Sequence, residues 1–293
     1  MKKTSILTSA SNERVQGALA RNIAEKEVAF SFLKGRGSFT DSKRIVTDPY
    51  GIVEENIPHS YKVWAIRHLT IHEALHVLMT DFNLKKIVMK PFKSQIRKKI
   101  AGDIANILED SRIELAGANY LPGIKRAVQF GNELAFIKRP KIHEIKNPLM
   151  QFIETLLQKA IVGKVKGDIP KQIKELVNEE LIRKARYGKN SNAVAKSTLE
   201  FMKLIEPLIQ ELEDEFEYKQ QTSDDVQGQR SDKPKEMNTD DFQEIHETSS
   251  SSNNSDEDED SDSDSAPNGS DEDSDGDEDS DSNSASNGSD EDS

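Results

Sequence analysis

Residues 251–293 carry 18 Asp and Glu, no Lys or Arg, and no Leu, Ile, Val or aromatic side chain. Such a stretch cannot bury enough apolar surface to offset the entropy of being ordered. Whatever folds in this chain must fold without it. Residues 219–250 hold 4 Lys and Arg against 8 Asp and Glu, a balance of −4. The whole chain of 293 residues carries −13, which leaves +9 on residues 1–218. The acidic average therefore hides a basic body joined to an acidic tail. The expected organisation is a folded domain over 1–218 and a disordered, low-complexity acidic tail over 219–293. Within the tail, residues 268–274 recur at 287–293. Asp271, Asp273, Asp275 and Gly276 open like a calcium loop, but its twelfth position is Ser282, where such loops carry Glu. The expected state is a solvated polyanion.

About 218 residues suffice for one domain with a real core, or for two small lobes. The chain has no cysteine, so it has no disulfide framework and no thiolate site. Any metal must be held by His, Asp or Glu. No apolar run approaches 18 residues, which argues against a membrane span. The apolar stretch near the start is too short for a signal peptide, and a cytoplasmic protein is expected.

The pattern predicts a helix over 12–26, with Val15, Leu19 and Ile23 four apart, then alternation at Val28, Phe30 and Phe32 that suggests a strand. Residues 42–47 return as a second strand, giving a 30–46 hairpin, and Asp48 to Gly51 reads as a turn. Helices are expected over 61–79, 92–120, 124–136, 148–162, 171–187 and 193–216, the last kinked at Pro207. Residues 83–91 read as a connection.

The first long helix carries His72-Glu73-Ala74-Leu75-His76. Positions i and i+4 lie on one helix face, so His72 and His76 can grip a single Zn2+ with Glu73 beside it. A third ligand is needed, with one position left open. The second long helix offers it. Asn106, Asp110 and Glu114 are four apart and border the apolar face of Ile100, Ile104, Ile107, Leu108, Ser111 and Leu115. Asp110 is the first choice. Glu109, which this wheel turns away from the apolar face, is the second. Glu114 and Asn106 are expected to hold a ligand in place. His68 shares the face of His72 and is a further ligand or substrate contact, or a partly buried histidine. His59, His143 and His246 have no constellation around them.

The string from His72 to Phe82, followed by Asn106 to Glu114, resembles the paired signature of the metallopeptidase-like amino-terminal region of cobaltochelatase T-subunit-like proteins. Thr40 to Val46 resembles the short hairpin before the motif helix in that family, and Tyr120-Leu121-Pro122-Gly123 the segment after the second signature. The resemblance covers roughly residues 28–130, with a helical extension over 131–218. It implies a zincin-like, mainly helical α+β domain with a small N-terminal sheet and one Zn2+ per chain. It also implies an acidic segment leading to a von Willebrand factor A domain, and ring-forming AAA+ ATPase partners. No Asp-x-Ser-x-Ser motif and no P-loop occur in this sequence; the expectation is that a separate protein supplies the von Willebrand factor A domain and that ATP hydrolysis falls to a partner.

The first-ranked expectation is a zinc metallopeptidase acting on a protein or peptide, with His72, His76 and Asp110 on the metal and Glu73 as general base. The 30–46 hairpin would lie beside the cleft and hold an extended peptide. The alternative is a non-catalytic assembly or adaptor subunit working with an AAA+ ATPase. Basic residues are scattered without a recognised binding motif, so nucleic acid is not an expected partner.

Overall fold

A computed structural model describes residues 5–214. The acidic tail, its repeat, its calcium-loop-like opening, His246 and the predicted helix end at Phe216 lie outside the described residues.

Ser9 caps the first helix, α1 (Ala10–Ala24), by accepting from the Asn12 N–H. The stripe expected from Val15, Leu19 and Ile23 is rotated. Val15 is 61 % exposed, while Gln16, Gly17, Ala20, Ile23 and Ala24 are buried. Gly17 lies against Phe30, close enough that a Cβ there would fall 3.3 Å from the Phe30 Cβ.

Three short strands follow: β1 (Ala29–Phe32), β2 (Phe39–Thr40) and β3 (Arg44–Thr47). Their order is β1-β3-β2. The 30–46 hairpin is corrected here. β1 runs parallel to β3, with Phe30 opposite Ile45, and only β2 pairs antiparallel with β3. The tight turn is the one at Thr40 to Arg44. There the Asp41 carboxylate accepts from the Lys43 and Arg44 N–H groups, and Ser42 takes a φ of 72°. Residues 33–38 act as a crossover, because the Gly35 and Gly37 turn carries the chain past β3 before β2 returns. Tyr50 starts a short helix, α2 (Tyr50–Glu54), where a turn was expected.

The two motif helices are α3 (His59–Met79) and α5 (Gln95–Tyr120). Between them α4 (Leu84–Met89) replaces the expected connection, with Leu84 and Val88 buried one turn apart. Ser94 caps α5 by accepting from the Arg97 N–H. Then come α6 (Lys125–Lys138), α7 (Pro148–Ile161), α8 (Lys171–Leu176), α9 (Glu179–Arg186) and α10 (Ser191–Leu204). The single helix expected over 171–187 is two. Asn178 accepts from the Glu180 and Leu181 N–H groups and starts α9 afresh. The kink expected at Pro207 is a break at Ile205, after which helix resumes over 206–214. Pro207 then sits near a helix start, where its missing N–H costs little.

Two apolar clusters share α5. Ile100, Ile104, Ile107 and Leu108 pack with α4 and α7–α10, around Phe152 and Phe201. Ile113 packs with α1, β3, α3 and α6. Between them α5 is buried continuously from Ile107 to Ile113 and Glu114. Helix α3 is likewise buried from Thr70 to Val77. A helix covered on every side has no solvent face for its polar residues, so those it carries there must satisfy one another. Gly117 lets the two helices meet, since a Cβ at that position would fall 2.4 Å from Leu75 Cδ2. Among the described residues no helix is long and apolar enough to cross a membrane.

Candidate metal centre

Where α3 and α5 pack, His72, His76 and Asp110 each bring one potential ligand atom within 4.8 Å of the others. Asp110 Oδ1 lies 3.1 Å from His76 Nε2 and 3.7 Å from His72 Nε2. The two imidazole rings stand nearly perpendicular, with centroids 4.9 Å apart. All three residues are buried, as is Glu73 at 1 % exposure.

Each donor is aimed by a partner on its other side. His72 Nδ1 pairs with Glu114 Oε1 at 2.9 Å, and His76 Nδ1 with Thr80 Oγ1 at 3.0 Å. Asn106 Nδ2 donates to Asp110 Oδ2 at 3.2 Å. With the outer atoms occupied, both Nε2 atoms and Asp110 Oδ1 face inward. Among the described residues, His72 Nε2 and Asp110 Oδ1 make no hydrogen bond, although both are buried. Buried polar atoms are nearly always paired. Lone pairs from two imidazoles and a carboxylate converging on one point suit a divalent cation, and outer partners on each ligand are a regular feature of such sites.

The electrostatics agree. Burial pushes the His72 imidazole down, but the Asp110 carboxylate, the hydrogen bond to Glu114 and the charge of Glu73 outweigh it and raise it to about 10. Burial pushes Glu114 up, but hydrogen bonds from His68 and His72 outweigh that and hold it well below the usual carboxylate range. The surrounding carboxylates therefore favour a positive charge at this point, which a proton or a metal can supply.

Glu114 is the hub of a second group, His68, His72 and Glu114. Its Oε1 also meets His68 Nε2 at 3.3 Å, and its Oε2 accepts from Asn132 Nδ2 at 2.5 Å. Asn132 comes from α6, and Gly131 beside it lies directly against the His68 ring.

Glu109 requires a correction. It was expected to stand away from the apolar face as second choice for the metal. It is 1 % exposed and bound to Arg112 and Ser191, and it belongs to neither metal-capable group. The wheel assumed one buried face, whereas both sides of α5 are covered at this level. Sequence reasoning also missed Thr80 and Asn132. Thr80 was legible, being four residues past His76. Asn132 was not, because nothing in its spacing ties α6 to the motif. His59 is exposed at the start of α3, and His143 Nδ1 accepts from the Asp168 N–H, so both remain outside the site.

Fold and site define a mainly helical protein with a small three-stranded sheet and a buried His–His–Asp group able to hold a divalent metal. The family model of cobalamin biosynthesis protein CobT matches residues 15–293, and the chain belongs to that family. No curated protein and no solved structure matches it.

Proposed function

We propose that the chain is a metal-holding assembly subunit of a chelatase-like complex in cobalamin biosynthesis, working with a ring-forming AAA+ ATPase and a separate von Willebrand factor A protein. Membership of the CobT family carries this reading. It reverses the order expected from the motif alone, which put a zinc metallopeptidase first. In this reading residues 1–218 form a zincin-like domain in the cytoplasm, and 219–293 are a separate acidic tail.

His72, His76 and Asp110 would hold the ion, with Zn2+ the first choice for two imidazoles and a carboxylate, and Co2+ a close substitute. Bound there, a divalent ion supplies fixed positive charge and Lewis acidity. Glu114 and Thr80 present Nε2 of each imidazole, and Asn106 turns Asp110 Oδ1 inward. Burial of every donor favours a held ion over a cleft that admits a polypeptide.

Peptide hydrolysis is kept as a second reading on one observation: Glu73 follows His72 directly and its charge acts on that imidazole. In that reading Glu73 takes a proton from the attacking water and returns it to the leaving amine.

The test is metal analysis of the full chain with His76→Ala and Asp110→Ala, followed by co-elution with the ATPase and the von Willebrand factor A protein. About one metal per chain, lost in both variants, together with co-elution, is expected. Absence of complex formation, with peptide hydrolysis that Glu73→Gln abolishes while metal is retained, would reverse the ranking.

A further inference from the structure

We infer that Glu109, Arg112 and Ser191 form a latch through which the C-terminal helices set the geometry of the metal centre. This rests on the metal-holding role proposed above. Glu109 and Asp110 are adjacent on α5 and their carboxylates diverge. Asp110 faces the imidazoles of α3. Glu109 accepts from Arg112, Nε to Oε2 at 2.8 Å and Nη2 to Oε1 at 2.6 Å. The same Nη2 donates to the carbonyl oxygen of Met79, the last residue of α3, at 2.7 Å. Ser191 opens α10; its Oγ donates to Glu109 Oε1 at 2.7 Å and accepts from the Asp81 N–H at 3.0 Å.

Both sides of the chain's exit from α3, at Met79 and at Asp81, are thus tied to the peptide that carries Asp110. The three latch residues are buried, at 1 %, 2 % and 3 % exposure. A buried ion pair contributes little net stability, because desolvation offsets its attraction. Here its geometry fixes the register of α3 against α5. The 3.1 Å between His76 Nε2 and Asp110 Oδ1 depends on that register. The bridging hydroxyl belongs to α10, so a displacement of α10 reaches Asp110 through Ser191 and Glu109. The latch residues are positioning residues that touch no ligand atom of the site.

Co2+ is the probe, titrated into the full-length wild type, Ser191→Ala, Ser191→Thr and Glu109→Gln. The dissociation constant and ligand geometry are read from visible absorption, and the urea midpoint of each metal-free protein is measured separately. Ser191→Ala and Glu109→Gln are expected to weaken Co2+ about tenfold and to change the band shape. Ser191→Thr, which keeps the hydroxyl, is expected to retain the wild-type constant. A lowered urea midpoint with an unchanged constant and spectrum in both weakened variants would make the network mere packing and overturn the latch. If Glu109→Gln, which leaves Arg112 buried without its counter-charge, does not fold, Ser191→Ala decides alone, since it removes only the bridging hydroxyl. A wild type that binds no Co2+ overturns the metal-site reading itself, and the latch with it.

Discussion

Gly131 shows how narrowly the centre is built. A Cβ there would fall 2.1 Å from His68 Cγ. Alanine favours a helix over glycine by up to about 1 kcal/mol, whereas overpacking a tight contact costs about 1–3 kcal/mol. Gly131→Ala is therefore expected to lower stability by up to about 2 kcal/mol net, despite the better helix former. Urea unfolding of the two proteins checks this, and a more stable variant would show that His68 moves aside without cost. The same scale explains why the histidines and most of their supports were readable and Asn132 was not. His72 and His76 belong to one helix and Thr80 caps its end, where spacing reports position directly. Glu114 and Asp110 share a second helix and were found by the same rule. Asn132 joins them only because α6 packs against α3.

Among elements, the helical stretch over 206–214 is pinned to the start of α5. Arg97 donates to Glu213 at 2.8 Å and to Glu206 at 2.8 Å. The hydrogen bond from Arg97 holds the Glu213 carboxyl below its ordinary value, against a smaller opposing effect of burial. Its depressed folded value means that its contribution is complete above the unfolded carboxylate range and is lost as pH falls through the folded value. Glu213→Gln is expected to cost about 1–2 kcal/mol at pH 7, the scale of a charged hydrogen bond with some exposure. The difference from wild type should shrink below about pH 4, as the wild-type carboxyl takes its proton. A difference that stays constant between pH 7 and pH 3 would assign the cost to packing. In the core, Phe152→Ala removes a fully buried ring stacked edge-on with Phe201 at 5.8 Å. Thermal or urea unfolding is expected to register a loss of about 3–5 kcal/mol.

For the whole molecule, the charge division carries the prediction. The chain is −13 overall, but residues 1–218 carry +9. A fragment of residues 1–218 is expected to unfold cooperatively, with the same metal content as the full chain and a basic isoelectric point. Loss of the cooperative transition would move the domain boundary into 219–293. Removal of the tail is also expected to strengthen salt-sensitive binding to polyanions, which titration at two ionic strengths would measure.

Composition and period were enough to assign most helices, because a helix of good length writes its buried face into the chain every three or four residues. Local spacing on two helices also singled out His72, His76 and Asp110 as candidates, and the packing of α3 on α5 brings their ligand atoms within 4.8 Å of one another. Short elements escaped. Helix α4 is too brief for its period to stand out, and a parallel pairing of β1 with β3 is a long-range choice that alternation alone cannot distinguish from a hairpin. Only tertiary structure decided the place of Glu109. It lies between two apolar clusters that share α5, and a sequence wheel drawn for one buried face turns that residue toward water. The contact of α10 with α4 and α5 brings Ser191 to Glu109 across a sequence separation of 82. No local pattern encodes that meeting, because it is set by the packing of both clusters at once.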